Sequence, residues 1–285
     1  MSLKLLEQIS LPGDPAKANE DSFATLDHAA LVLDGATPLG PSLLPGPSDA
    51  AWLAQFGARR LAAHLKDDDT PQEALKHALQ DAQKSFAGLQ RAPIREKWQL
   101  PCASLMMAVE LGHHESGSEL EFLWFGDCAA LIEQDGKIEI VGEAIAKRQA
   151  EAKRARRAAT SKKLPSALGI HRPEILPLLR AARNRINSGK NWLFSPDARA
   201  AGHVSRQTVA VGEGARLLLA SDGFLALISD YQAYDAPGLM RAVSHKGLAA
   251  LGEELRAIEK GDQAGERFFR FKSSDDATAL LLQMI

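Results

Sequence analysis

The sequence predicts an α+β fold in which helices cover the outer faces of β-sheets. Three observations support this fold class. Apolar strand-like segments occur in runs, pairs of amphipathic helical segments separate those runs, and the segment 277–284 (ATALLLQM) is continuously apolar, as in a buried central strand. Runs of strands that are separated by helix pairs favour sheets with helices packed on their outer faces.

The first half of the chain predicts seven strands and one pair of helices. A loop at 37–47 contains prolines at spacings that exclude regular structure. Ser48 or Asp49 then caps a helix that extends to about Leu65, and Thr70-Pro71 starts a second helix with proline at its first position. The predicted strands are 3–9, 22–27, 29–34, 102–111, 119–126, 128–134 and 137–141.

The second half predicts further strands and a basic helical segment. Residues 143–188 read as two helices rich in basic residues and alanine, and 147–163 contains eight Lys or Arg residues. A solvated helix face, a docking surface for an acidic partner and a nucleic-acid contact all remain open, although no aromatic residues are interleaved as in single-strand binders. The remaining predicted strands are 192–195, 204–211, 215–221 and 277–284, and the predicted helices are 224–229 and about 236–260.

The composition is that of a folded protein without an obvious charged partner. The 285 residues are 45% hydrophobic and 25% charged, which excludes the disordered class, and the net charge of -2 gives no overall attraction to nucleic acid or membrane. No apolar run approaches the ~18 residues that span a bilayer, and the first thirty residues lack a secretory pattern. With only Cys102 and Cys128, we expect a cytoplasmic protein with reduced thiols.

Acidic residues recur at the ends of five apolar strands. Strand ends are where a rigid scaffold meets solvent, so carboxylates there can share one mouth. Gathered carboxylates repel one another unless a cation lies among them, and Mg²⁺ and Mn²⁺ prefer oxygen ligands. Asp-Gly is also a common turn dipeptide, as we predict for Asp135-Gly136, so only the ordered set favours a metal site. The set is Asn19-Glu20-Asp21, Asp34-Gly35, Gly126-Asp127, Asp222-Gly223 and Asp275-Asp276.

This order resembles the protein phosphatase type 2C family of metal-dependent serine/threonine phosphatases, in its divergent bacterial form. The resemblance covers nearly the whole chain. It implies a single domain over 1–285, built as a four-layer α-β-β-α sandwich of two antiparallel sheets flanked by helix pairs, with a basic helical insertion at about 143–190. The matching motifs are Asn19-Glu20-Asp21, Asp34-Gly35, Cys102-Ala103-Ser104, Gly126-Asp127-Cys128, Ser221-Asp222-Gly223 and Asp275-Asp276-Ala277-Thr278.

The resemblance also implies a centre of two Mn²⁺ or Mg²⁺ ions. Asp34 would bridge the two ions. The Gly35 carbonyl and Glu20 would lie on the side of one ion, and Asp222 and Asp275 would hold the other. A water held between the ions would attack a phosphomonoester on serine or threonine of a phosphoprotein or phosphopeptide. No membrane and no specific nucleic acid are implied as partners, and the oligomeric state is left open.

Further roles and departures follow from the same comparison. Asp21 would orient metal-bound water, and Asp127 with Asp222 would hold a third, weaker ion. The usual phosphate-binding arginine is replaced by Ala16, which makes the neighbouring Lys17 the candidate contact for substrate phosphate. Two alternatives to a protein phosphatase stay open. One is a phosphatase of small phosphorylated metabolites that uses the same chemistry. The other is a catalytically weak family member that acts as a regulatory or binding module, which the missing arginine favours and the intact ligand set disfavours.

Overall fold

The computed structural model describes residues 2–66, 69–114, 117–145, 173–268, 270 and 272–285. Ten strands lie within these residues. They are β1 (Leu3–Leu11), β2 (Asp21–Leu26), β3 (Ala29–Gly35), β4 (Ala103–His114), β5 (Gly117–Phe125), β6 (Ala129–Gln134), β7 (Lys137–Val141), β8 (Ser205–Val211), β9 (Arg216–Ala220) and β10 (Ala277–Met284).

Helices in the described part of the chain connect these strands at three places: between β3 and β4, between β7 and β8, and between β9 and β10. Thr70 caps the second helix: its hydroxyl accepts a hydrogen bond from the Glu73 N–H, and its backbone N–H donates one to the Glu73 carboxylate. The longest helix kinks at Gly247, where φ is 80°. Within the described residues, every helix is too short or too polar to cross a membrane. The helices are α1 (Asp49–Lys66), α2 (Pro71–Leu89), α3 (Leu176–Arg183), α4 (Asp222–Ser229) and α5 (Ala236–Gly261).

The strands form two five-stranded sheets. The first sheet has the order β1-β10-β9-β6-β7 and the second has the order β2-β3-β4-β5-β8. Every pairing in both sheets is antiparallel. The last strand in the chain, β10, therefore lies between β1 and β9, as its continuous apolar sequence predicts.

The second sheet is buried on both faces. In β3, Leu31 and Leu33 pack against α1 and α2, whereas Ala30 and Val32 pack against the first sheet. This division follows from the two-residue period of a strand, which sends successive side chains to opposite faces. A fully buried leucine contributes roughly 1.5–3 kcal/mol relative to an exposed one, so both interfaces stabilise the fold.

The first sheet is also buried on both faces, with one face against the second sheet and the other against helices. In β9, Leu217 and Leu219 face the second sheet, whereas Leu218 and Ala220 face α4 and α5. The layers therefore run from α1 and α2 through the two sheets to α4 and α5. The predicted α+β class and the four-layer α-β-β-α sandwich are confirmed.

The prediction of a strand at 192–195 is wrong. Only Phe194 pairs, through two backbone hydrogen bonds with Ala103 at the start of β4. The Leu193 N–H donates to the side chain of Asn187 instead of to a strand, and Pro196 has no N–H to continue a ladder. Of the two helices predicted over 143–188, α3 is seen, whereas the basic segment 147–163 lies outside the described residues.

Candidate metal centre

The register of the second sheet places two acidic residues opposite each other. Asp21 begins β2 and pairs with Asp34, the penultimate residue of β3. On its other side, Asp34 pairs with Ser104 in β4. The antiparallel pairing thus brings both carboxylates to one end of the sandwich, although thirteen positions separate them in the sequence.

Two more aspartates reach the same place from other strand ends. Asp127 lies in the turn that joins β5 to β6, and Asp222 opens α4 directly after β9. One carboxylate oxygen from each of Asp34, Asp127 and Asp222 lies within 4.8 Å of the others, which is close enough for a single cation to contact all three. Ser104 donates a hydrogen bond to Asp127 and so fixes its orientation. Both sheets therefore contribute to the cluster.

A buried serine connects the two sheets behind this cluster. The Ser221 hydroxyl donates to Asp21 Oδ2 at 2.8 Å and accepts from the Thr278 N–H at 2.9 Å. Because the hydroxyl both donates and accepts a hydrogen bond, the serine fixes β2, the end of β9 and the start of β10 relative to one another. Asp21 is therefore a positioned group.

The segment before β10 supplies two aspartates with different surroundings. Asp276 accepts hydrogen bonds from the backbone N–H groups of Gly13 and Glu20 at 2.7 and 2.6 Å. The backbone carbonyl oxygen of Asp276 would lie 1.9 Å from a Cβ placed on Gly223, so only glycine fits at position 223. Asp275 accepts from the ammonium group of Lys272 at 2.6 Å. The backbone around Asp276 is thus fixed by hydrogen bonds and close packing, whereas the Asp275 carboxylate is paired with a cationic side chain.

Burial makes the central carboxylates hard to ionise in the absence of metal. Burial first, and then the charges of Asp21, Asp222, Asp275 and Asp127, raise the pKa of Asp34 well above its ordinary value. A bound divalent cation would reverse both effects, since it supplies the missing positive charge. The donor set of clustered, buried carboxylate oxygens therefore fits Mg²⁺ or Mn²⁺.

Asp21 shows the same behaviour with an additional signal. Burial raises the pKa of Asp21 from 3.8 to about 8, against the hydrogen bond from Ser221, and the charges of Asp276 and Asp275 add to the rise. Its Oδ1 is buried and receives no hydrogen bond from the described residues. A buried carboxylate oxygen without a donor costs ~1–3 kcal/mol or more, which a bound water or cation would recover.

Lys272 is a member of the cluster that the sequence analysis missed. Burial lowers the pKa of this lysine, but the charges of Asp275 and Asp34 and the hydrogen bond to Asp275 outweigh that effect, so its pKa is raised. The side chain remains 31% exposed. The only sequence signal is a lysine three residues before the motif aspartate, a spacing that surface lysines share widely.

Glu20 and Gly35 lie beside the aspartates. The Glu20 carboxylate accepts from the hydroxyls of Thr37 at 2.6 Å and Ser48 at 2.5 Å, which belong to the loop after β3 and the start of α1. The Gly35 N–H donates to the Glu20 carbonyl at 2.9 Å, and a Cβ on Gly35 would lie 2.6 Å from that oxygen. The structure therefore brings the two residues together and directs the carboxylate of Glu20 towards hydroxyl groups.

Lys17 is not brought into the cluster. Its side chain is 78% exposed and forms an ion pair with Asp14 at 3.3 Å. The described part of the segment 143–190 does approach this end of the sandwich. Arg180 donates to the Leu39 carbonyl and Arg183 to the Thr37 carbonyl, in the loop that follows β3.

The two cysteines take no part in the centre as ligands. Burial, followed by the charges of nearby aspartates, raises the pKa of the Cys128 thiol well above its ordinary value. Burial also raises the pKa of Cys102. Both are free thiols, and such protonated thiols are poor nucleophiles and poor metal ligands.

Among the comparisons with known proteins, similarity was found to solved structures. No protein-family model matches the chain, and no curated protein sequence matches it. The serine/threonine phosphatase PstP of Mycobacterium tuberculosis is 17% identical over 100% of this chain and 99% of that one, with a TM-score of 0.58. A structure of the PstP catalytic domain in complex with two manganese ions is 16% identical over 99% of this chain and 98% of that one, with a TM-score of 0.55.

A third solved structure extends the comparison. The PPM Ser-Thr phosphatase MsPP of Mycobacterium smegmatis, in complex with cacodylate, is 15% identical over 99% of this chain and 100% of that one, with a TM-score of 0.54. At such low identity the similarity shows a common fold. What the acidic centre does must therefore be argued from its own residues.

Proposed function

We propose that this chain, which has the fold of the type 2C serine/threonine phosphatases, is a metal-dependent phosphomonoester hydrolase that acts on phosphoserine and phosphothreonine in proteins. The observation that carries the proposal is the convergence of Asp34, Asp127 and Asp222 within 4.8 Å, where strand ends of both sheets meet. The manganese ions in the structure of PstP support divalent cations as the cofactor.

The residues present would divide between two ions. Asp34, whose carboxylate is surrounded by the charges of the other aspartates, would bind both. Asp222 and Asp275 would hold one ion, and the Gly35 carbonyl with Glu20 would serve the other. Two Mn²⁺ or Mg²⁺ ions, when bound, would supply a hydroxide nucleophile and neutralise charge on the phosphoryl group. Asp127, together with Asp222, would hold a third and weaker ion.

Residues around the ions orient water and substrate. Asp21 is fixed by Ser221 and has one buried oxygen that receives no donor from the described residues, so it accepts a hydrogen bond from water at the centre. Lys17 was the phosphate contact expected from sequence. Lys272 is the alternative that the structure favours, because its ammonium group already lies beside Asp275. Either lysine would neutralise phosphate without the bidentate geometry of arginine.

The substrate class and compartment follow from weaker observations. A phosphoprotein substrate is supported by the serine/threonine phosphatases that share the fold. Two buried thiols that form no disulfide fit the reducing cytoplasm, where we place the reaction. A phosphatase of small metabolites would use the same centre, whereas a binding module would need the centre to be inactive. The clustered acidic ligands favour catalysis over the module.

Hydrolysis of p-nitrophenyl phosphate tests the proposal. We expect turnover with Mn²⁺ or Mg²⁺, loss of turnover in EDTA, and recovery when metal is added. Asp34→Asn should lower kcat by at least ~100-fold, because one ligand serves both ions. The matched control is Asp135→Asn, which changes the Asp-Gly dipeptide of the β6–β7 turn at φ 51°, a conformation that asparagine tolerates.

The outcomes separate the three interpretations. Full activity in EDTA would refute the metal-dependent mechanism. Binding of a phosphopeptide without turnover would support the regulatory module. Turnover of p-nitrophenyl phosphate and small phosphate esters, with none of a phosphoserine peptide, would support the metabolite phosphatase.

A further inference from the structure

A second group of potential metal ligands lies in the outer helix layer, between α1 and α2. His64 is in the last turn of α1, Asp69 is in the connection, and His77 is in the second turn of α2. Asp69 Oδ2 lies 2.6 Å from His77 Nδ1 and 3.6 Å from His64 Nδ1. One ligand atom from each residue lies within 4.8 Å of the other two.

The local structure explains why these side chains meet. The Asp69 N–H donates to the His64 carbonyl at 3.3 Å, which holds Asp69 beside the end of α1. Thr70 then caps α2. Side chains on a helix tilt towards its N-terminus, so His77 reaches back to Asp69. The rings of His64 and His77 consequently lie 5.3 Å apart, centroid to centroid.

A second carboxylate fixes the orientation of His64. Its Nε2 lies 2.9 Å from Asp81 Oδ2, a distance that requires a proton on this nitrogen. Arg60 binds the same oxygen through Nε and Nη2, both at 2.6 Å, and also lies 3.3 Å from His64 Nε2. Partial burial favours protonation of Asp81, but the hydrogen bonds from His64 and Arg60 outweigh it and lower the pKa of this carboxyl group.

The tautomer of His64 directs a lone pair towards Asp69, whose carboxylate also accepts a hydrogen bond from His77 Nδ1 at 2.6 Å. A neutral imidazole that donates from Nε2 carries its lone pair on Nδ1. In His64 this lone pair faces the Asp69 carboxylate, and a proton or a metal cation is needed between them. Histidine ligands of metals commonly donate their other N–H to a carboxylate, which is the relation of His64 to Asp81.

We propose that His64, Asp69 and His77 form a Zn²⁺ site that joins the end of α1 to the start of α2. Asp81 acts as the outer carboxylate that orients His64, and a water molecule completes four-coordination. Two imidazole nitrogens and one carboxylate oxygen are the donor set of an open zinc site. The site differs in chemistry from the strand-end centre, whose all-oxygen ligands suit Mg²⁺ or Mn²⁺.

Calorimetric titration with Zn²⁺ tests the site directly. The full chain carrying Asp34→Asn is used throughout, so that binding at the strand ends is weakened in every sample. We expect one tight equivalent of Zn²⁺, with affinity reduced by at least ~10-fold in His77→Gln and by ~10- to 100-fold in Asp81→Asn. The control is His245→Gln, an exposed histidine of α5, which should bind Zn²⁺ unchanged.

Two readouts keep the test decisive. Because the His77 side chain is 41% exposed, its replacement should leave the fold intact, which circular dichroism checks. Co²⁺ should give the visible absorption of a four-coordinate site in the His245→Gln sample but not in His77→Gln. Equal Zn²⁺ affinity in His77→Gln and His245→Gln would overturn the proposal and show a network in which a proton on His64 takes the place of the metal. Zn²⁺ binding is measured without reference to phosphatase activity, so failure of the proposed function would leave this test unaffected.

Discussion

Replacing Asp21 by asparagine measures how much the negative charge of this buried residue destabilises the fold when no metal is bound. The pKa of Asp21 is raised from 3.8 to about 8, mainly by burial. A raised folded-state pKa means that the stability from this group is fully present below the unfolded value and is lost as pH rises through the folded value. Without metal, the wild type should therefore lose stability between about pH 4 and about pH 8.

The expected size follows from the same linkage. Each unit of pH between the two pKa values changes the free energy of unfolding by about 1.4 kcal/mol for one group. Three units, from about pH 5 to about pH 8, give an upper value of about 4 kcal/mol. Asp21 and Asp34 lie close together, so protonation of one affects protonation of the other. We therefore expect roughly 2–4 kcal/mol for Asp21 alone. Asparagine has the shape of aspartate and keeps an oxygen that can accept from Ser221.

Urea unfolding in EDTA, followed by tryptophan fluorescence at several pH values, measures this difference. From about pH 5 to about pH 8 the free energy of unfolding of Asp21→Asn should rise relative to that of the wild type by the amount above. Asp135→Asn, in an exposed turn, should follow the wild type throughout. Identical pH dependence of wild type and Asp21→Asn would refute the argument. Adding Mn²⁺ near pH 8 should stabilise the wild type, since the ion binds only the folded chain.

Five further substitutions test the centre and its surroundings. Asp127→Ala should lower turnover while tight Mn²⁺ binding by calorimetry persists, whereas Asp222→Ala should lose that binding; equal losses would contradict a separate third ion. Lys272→Met should lower kcat/KM for a phosphopeptide by ~10-fold or more, and Lys17→Ala should raise KM if the sequence-based contact is correct. No effect of either lysine variant would remove both from the substrate site. Gly223→Ala should destabilise the protein by ~1–3 kcal/mol in thermal unfolding, because its Cβ would lie 1.9 Å from a backbone oxygen, and an unchanged midpoint would show that the turn can move.

The fold was largely predictable because alternation along strands survives in the sequence. The segments that became β3 and β10 were placed within one or two residues by apolar pattern alone. The strand predicted at 192–195 failed because its apolar residues are buried without forming a ladder: Phe194 is completely buried against the second sheet and α1, and within 192–195 backbone pairing is limited to the bridge between Phe194 and Ala103. A short apolar run does not distinguish these two outcomes.

The acidic centre was predictable only as a list of residue types at strand ends. That Asp34, Asp127 and Asp222 converge depends on how the two sheets stack, which no local pattern encodes. The hydrogen bond between Ser221 and Asp21 spans 200 positions and could not be inferred from spacing. The position of Lys272 depends on the turn before β10, where the sequence shows only a lysine near aspartates.

The central position of β10 has a consequence for how the molecule folds. This strand follows every other strand in chain order, yet it separates β1 from β9 in the first sheet. Until β10 is inserted, those two strands have unpaired edges, which makes a partly folded chain prone to association. Contacts of such long sequence separation also slow folding. Because Asp275 lies just before β10, the acidic centre is completed only when this strand is inserted.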